Sequence, residues 1–181
     1  MAVRWCLGER KIPLSGNVET DRLLLTRPKL SEVPELYGFL GDPRAMQVTQ
    51  IDKDLASCRR RIAVHEWRRR RDGFAPWTVR VKGEPEIIGW GGLYDDPFDP
   101  GWGPELAFFF DPKAWGLGYG EELSLAALEV ADIKIELPLV SAFAHPENAA
   151  SQKLLQKVGF QPERHVESMN RILYRRGRPA R

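Results

Sequence analysis

The residues of this chain best spaced for chemistry are Trp115-Gly116-Leu117-Gly118-Tyr119-Gly120 and, farther along, His145-Pro146-Glu147-Asn148-Ala149-Ala150-Ser151, closed by Val158-Gly159-Phe160. Alternate glycines leave the backbone open, and the run from Glu121 reads as a helix, so several N–H groups can face an anion at that helix's positive end. A pyrophosphate suits such a loop. Two other phosphate sites fail on spacing: a dinucleotide fingerprint would need glycine where Glu121 or Leu123 stands, and no Gly-Lys-Ser/Thr ending is present. His65, His145 and His165 are too dispersed for an obvious metal set, and neither a Cys-x-x-Cys nor a His-Glu-x-x-His spacing occurs, so no metal is expected.

Strands and helices must alternate to position these groups. Arg22 to Arg27 reads as a short strand, followed by a helix over Glu32 to Leu40 with Ser31 as its cap, and Gly41-Asp42-Pro43 ends it. A longer helix is predicted over Leu55 to Arg71, stopped at Asp72-Gly73. Trp77 to Val81 and Ile87 to Tyr94 read as a hairpin, and Asp95 to Trp102, rich in Asp and Pro, as a loop entering the strand Pro104 to Phe110. Next come a helix from Glu121 to Ala131, a strand from Leu139 to Ala144 and a helix from Asn148 to Val158, with Gly159 as a left-handed C′ residue. Terminal strands are expected near Arg164 to Glu167 and Arg171 to Arg175.

With 181 residues, 43% of them hydrophobic, the chain can bury one sizeable core, and a single domain is expected. A formal net charge of +2 does not make the whole molecule an attractor of nucleic acid. Cys6 and Cys58 form neither a ligand pair nor a disulfide framework, which fits a reducing, cytoplasmic setting. The first residues are broken by Arg4, Glu9, Arg10 and Lys11, so neither a secretory leader nor a membrane span is expected there.

The order Thr20-Asp21-Arg22-Leu23, Asp42-Pro43, Trp77, Ile88-Gly89, Glu105, the Trp115 to Gly120 loop and Asn148 to Ser151 resembles the GCN5-related N-acetyltransferases, with the ribosomal-protein N-acetyltransferase branch most similar. The resemblance begins at about Thr20, leaving residues 1–19 as an extension ahead of a domain over 20–181. It implies an α/β (α+β) acyl-CoA N-acyltransferase fold, whose mixed, mostly antiparallel sheet of about seven strands has flanking helices and a splayed central pair. Acetyl-CoA is the implied acyl donor, its pantetheine arm entering between the Leu106 to Phe110 and Leu139 to Ala144 strands against the backbone of Phe108, Phe109 and Phe110. The amides of Leu117, Gly118, Tyr119, Gly120 and Glu121 would hold the pyrophosphate, in a loop opened by Trp115 and Gly116. Where much of the family has a basic side chain, this chain has Leu117, so binding must lean on amides.

The resemblance also implies roles in catalysis. Glu105, where relatives often carry glutamate, is the expected base for the amine, and Asn148 is expected to bond the pantetheine arm. Ser151 lies on the same helix face as Asn148 and is expected both to contact the coenzyme and to protonate the leaving sulfur. Many relatives use a tyrosine where this chain has Leu155, which has no proton to give and so leaves that role to Ser151 or to water. The acceptor would be a primary amine, a protein amino terminus or a small molecule, attacking directly because no cysteine is placed as a nucleophile. Dimers are frequent in this family.

His145 reads better as a satisfied structural histidine than as part of the site, and Trp67, Trp77 and Trp90 as core or cleft-wall aromatics. Arg68 to Arg71 reads as a solvated helix terminus, since successive residues rotate by about 100° and build no single stripe. Asp95, Asp96 and Asp99 with Phe98 stand where a loop could overhang the acceptor cleft and attract a cationic amine. The alternative function is a catalytically idle module on the same fold that binds coenzyme A, RNA or another protein, with Leu117 and Leu155 as the features that favour it.

Overall fold

Leu23 and Leu25 are fully buried while Leu24 and Thr26 are only partly so, the period-two pattern of a strand with one face on a core. The computed structural model describes residues 16–180. Their order is β1 (Val18–Glu19), β2 (Leu23–Thr26), α1 (Val33–Leu40), α2 (Leu55–Asp72), β3 (Trp77–Val81), β4 (Ile87–Tyr94), β5 (Glu105–Phe110), α3 (Tyr119–Glu129), β6 (Leu139–Ala144), α4 (Ala149–Lys157), β7 (Gln161–Val166) and β8 (Arg171–Gly177). All eight strands join one sheet in the order β1-β2-β3-β4-β5-β6-β8-β7. The eighth strand beyond the expected seven is the short β1, which pairs with Leu24 and Leu25.

Every neighbouring pair is antiparallel except β5 and β6. Whereas β4 and β5 are in register from Tyr94–Glu105 to Gly89–Phe110, the parallel pair meets only at Glu105 and Ser141. The strands then part, as the resemblance implied. One core lies where α3 and α4 bring Leu123, Ala127, Leu155 and Val158 against Leu23, Leu93 and Tyr174. A second, on the side of α1 and α2, joins Leu36, Phe39, Cys58 and Ile62 to Ile87 and Trp90.

Several local expectations need correction. Ser31 does not cap α1: a turn of 3-10 helix over Leu30–Glu32 precedes it, and the Glu32 carboxylate accepts from the Lys29 N–H at 2.8 Å. The helix expected from Glu121 begins at Tyr119, and after Glu129 it widens into a π turn over Val130–Ile135. Gly159, at φ 96°, is the left-handed residue expected after α4. Trp77 and Trp90 are buried, but Trp67 is 64% exposed and belongs to neither core nor cleft.

The arginine run at the end of α2 is not simply solvated. Arg69 is 4% exposed; its Nε donates to Glu66 at 2.7 Å and its Nη2 to the carbonyls of Ala75 and Pro76 at 2.9 and 2.8 Å. It therefore clamps the turn from α2 into β3, and Arg27 holds the same Glu66 from β2's end. Arg69→Met should cost about 1–3 kcal/mol in denaturant unfolding, because it leaves two carbonyls without their donor while Arg27 still pairs with Glu66. Exposed Arg70→Ala should stay within about 0.5 kcal/mol of the parent.

Candidate active site

The glycine loop is shaped by backbone conformations that an L side chain rarely adopts: Gly116 has φ 75° and Gly118 φ 81°. Gly118 is the N-cap of α3, so the amides of Tyr119, Gly120 and Glu121 lack partners within the helix and present its positive end. The first backbone bond of the helix is Glu122 N–H to the Gly118 carbonyl at 3.2 Å. Trp115 is half exposed, its Nε1–H fixed on the Phe110 carbonyl at 3.0 Å.

Arg22, whose role the motif order did not reveal, braces this loop from below. Its Nη1 donates to the Leu117 carbonyl at 2.9 Å, its guanidinium lies 4.7 Å from the centre of the Tyr119 ring, and its Nε donates to Glu122 at 2.7 Å. Glu122 also accepts from the Thr20 hydroxyl and the Arg22 amide. Burial alone would raise the Glu122 carboxyl, but the bonds from Thr20 and Arg22 outweigh it and hold it below the ordinary carboxylate range.

Beyond the single bridge, β5 keeps a free edge. The Pro104 carbonyl accepts from the Ser141 N–H at 2.8 Å, so by alternation Leu106, Phe108 and Phe110 turn their backbone groups toward the gap. A cleft of about 660 Å³ runs from the glycine loop to this edge, bounded by Phe108, Phe110, Gly120 and, from α4, Asn148, Ser151 and Leu154. Lys153 and Lys157 line the same cleft, and Lys157 is paired with Glu121 at 2.7 Å. Lys153 supplies positive charge that Leu117 does not, whereas that of Lys157 is offset by Glu121. The free amides, free strand edge and long cleft fit a ligand with a phosphate at one end and an extended amide-bearing arm, as in coenzyme A.

A second cavity of about 370 Å³ continues from the first and shares Val48, Thr49, Phe108, Phe109, Asn148 and Ser151 with it. It reaches Glu105, Tyr94, Trp90 and His65, and Asp96, Phe98 and Asp99 of the acidic loop stand on its wall. Bonds from the far half of the sheet pin this loop. The Trp102 carbonyl accepts from Ser141 Oγ at 2.7 Å and from Arg175 at 3.0 Å, while the Trp102 Nε1–H donates to Asp99.

Glu105 is 5% exposed, and burial pushes its carboxyl up to about 8. The charge of Asp96 adds to that rise, a 3.4 Å bond from the Tyr94 hydroxyl opposes it, and Asp99 and Asp95 push further upward. Behind it, His65 meets the rings of Trp90, Tyr94 and Phe98 edge to face. Burial, reinforced by Arg61, Arg68 and Arg69, drives the His65 imidazole down to about 3, so it is neutral at physiological pH. Cys58 is fully buried beside Asp52 and its thiol is pushed up to about 12, which removes it as a nucleophile.

On α4, Asn148 acts as an N-cap: its Oδ1 accepts from the Ser151 N–H at 3.0 Å. That bond leaves the Asn148 Nδ2 able to donate into the cleft and fixes Ser151 beside both cavities. The His145 Nδ1 accepts from the Glu147 N–H at 3.2 Å, which places the ring proton on Nε2, 3.2 Å from the side-chain amide of Asn170. Leu155 is buried at the junction and offers no proton. Among the described residues no cluster of His, Cys, Asp and Glu is placed to hold a metal, and no helix is long and apolar enough to cross a membrane.

Two measurements probe this geometry. Glu122→Gln, which removes the charge accepting from Thr20 and Arg22, should lower unfolding free energy at neutral pH by about 1–3 kcal/mol. The difference should shrink in acid, because a depressed carboxyl stabilises the fold above its unfolded pKa and loses that contribution as pH falls through its folded value. Glu105 has the opposite sign. Its raised carboxyl contributes stability below its unfolded pKa that is lost as pH rises toward 8, so Glu105→Gln should melt higher than the parent above pH 8 and little differently in mild acid.

The comparisons with known proteins agree with this geometry. Residues 22–161 match the acetyltransferase (GNAT) domain family. The Bacillus licheniformis N-acetyltransferase p20, itself uncharacterised, is 25% identical over 146 residues, covering 80% of this chain and 82% of its own. An acetyltransferase from Agrobacterium tumefaciens superposes with a TM-score of 0.77 at 20% identity, covering 97% of each chain. RimL, a ribosomal L7/L12 α-N-protein acetyltransferase solved with coenzyme A, superposes with a TM-score of 0.70 at 17% identity over 88% of this chain and 96% of its own. With the family match spanning most of its length, and the parted strands and glycine loop in place, the chain belongs to the GNAT acetyltransferases and is an acyltransferase.

Proposed function

We propose that the protein transfers the acetyl group of acetyl-CoA to a primary amine by direct attack. The observation that carries this reading is the continuity of two cavities at Phe108, Phe109, Asn148 and Ser151, one leading from the glycine loop and the other ending at Glu105. Donor and acceptor can then meet without a covalent enzyme intermediate, which suits a chain whose one described cysteine is buried and inert.

In this reading the Tyr119, Gly120 and Glu121 amides hold the pyrophosphate, the free β5 edge at Phe108 and at the Phe110 N–H and the Asn148 side chain align the pantetheine arm, and Phe109 walls the junction. Glu105 takes a proton from the acceptor's ammonium group and passes it to water. The carbon–nitrogen bond forms as the carbon–sulfur bond breaks; Ser151 gives its hydroxyl proton to the departing sulfur and is restored by the surplus proton that leaves the nitrogen, relayed through water. Preorganised position, more than any one group, supplies the rate. The raised Glu105 carboxyl suits a general base, since proton transfer is most effective when the base's pKa lies near the working pH.

Acetyl-CoA titrated calorimetrically should bind the parent protein, and Gly118→Trp, checked for folding, should lose that binding. In steady state, kcat/KM should rise with pH until about pH 8 and then level, as Glu105 ionises. Glu105→Gln should lower it by about 10²–10⁴-fold and flatten the profile. No binding by the parent would sink the enzyme reading in favour of an idle module, and an unchanged profile in Glu105→Gln would remove Glu105 from the base role.

A further inference from the structure

Of the two arginines on the acceptor cavity, Arg61 is neutralised by Asp52 at 2.9 Å. Arg171 is not. Its Nη2 donates to the Val48 carbonyl at 2.6 Å and its Nη1 to the carbonyls of Asn170 and Met169 at 3.1 and 3.4 Å, all of them uncharged acceptors. No carboxylate among the described residues pairs with it. A guanidinium carries five N–H donors, so the Nε–H and a second Nη2–H remain to be met. These bonds hold the head of Arg171 across the cleft, tying the start of β8 to the segment between α1 and α2.

Arg171 therefore calls for oxygen acceptors that carry a negative charge. The same cavity also carries the opposite requirement, at Glu105 and at Asp96 and Asp99, whose charges act on it. Phe98, Phe109 and Phe143 line it with apolar surface. The volume, about 370 Å³, falls near the small end of ligand pockets, which run from roughly 300 to 1,000 Å³.

We propose that the acceptor is a free amino acid, an amine and a carboxylate carried on one small apolar body, and that Arg171 reads its carboxylate. This rests on the acetyl-transfer reading above. The amine turns toward the acidic wall and Glu105, the carboxylate takes the unspent donors of Arg171, and the apolar body packs among the aromatic rings. A peptide amino terminus, whose α-carboxyl is tied up as an amide, would leave the Arg171 charge unmatched.

The test compares kcat/KM for matched acceptors with acetyl-CoA: L-phenylalanine, L-leucine and longer ω-amino acids against their amides and decarboxylated amines. The parent should prefer the acids by about 10- to 100-fold, as expected for a hydrogen bond to a charged group. In Arg171→Gln that preference should fall toward one, and in Arg171→Lys much of it should survive. A merely structural Arg171 would lower turnover of acids and amines together and leave their ratio intact. Acetyl-CoA affinity, measured on each variant, reports whether the donor site is intact. Binding of acetyl-CoA with no preference for acids, with no turnover of any amino acid, or with a preference unmoved by Arg171→Gln would overturn this proposal and leave the acetyltransferase reading standing. Failure of the parent to bind acetyl-CoA would overturn both.

Discussion

The parting of β5 from β6 after one bridge is the constraint on which the rest of this structure depends. A sheet gains by pairing every backbone donor and acceptor, and an internal strand left half unpaired has a cost that water or a ligand must meet. Here that unpaired edge lies between the phosphate-ready start of α3 and the cap of α4. The sheet stays whole because Glu105, Ser141 and the Pro104 carbonyl join its halves below the opening, while Arg175 and the Ser141 hydroxyl share the Trp102 carbonyl. The stitching residues thus also position the acidic loop. Opening the strands creates the cleft that leads from the glycine loop, and closing them at Glu105 places that carboxyl in the second cavity.

Charge is distributed around this opening according to how much water each group can reach. Glu105 and His65 are buried and both are driven toward their neutral forms, the acid upward and the imidazole downward. Arg69, equally buried, stays cationic because guanidinium cannot readily lose its proton, so it is compensated by Glu66 and two carbonyls. The α2 helix therefore divides its arginines by depth. Arg69 clamps the turn into β3, Arg61 offsets Asp52 at the cavity, and Arg59, Arg60 and Arg70 face solvent. A run of identical letters in sequence does three separate jobs in space.

Elements whose pattern depends on near neighbours were legible before the fold was known. The β3–β4 hairpin, the long α2 helix and the left-handed Gly159 all stand where turn residues and periodicity put them. The cap of α1 was misread because Ser31 has the right chemistry for a cap, yet the chain tightens into a 3-10 turn before it and the Glu32 side chain does the work. Trp67 was misread because an apolar side chain on a helix suggests a core, whereas its face of α2 points away from one. The role of Arg22 could not be read at all: Leu117 and Glu122 are brought to it by a strand and a helix remote in sequence.

By itself the sequence determined a phosphate-ready loop, since the alternate glycines ahead of a helix act through local backbone geometry that needs no distant partner, and its motif order carried the family resemblance that implied acetyl transfer. It also marked Glu105 and the acidic loop. Only the tertiary structure decided that Glu105 is buried, its carboxyl pushed up to about 8, that the two cavities meet at Ser151, and that Arg171 lines the second of them without a counter-charge. Burial, electrostatic environment and the convergence of remote strands are properties of neighbours in space, and a linear order of residues does not specify which neighbours those will be.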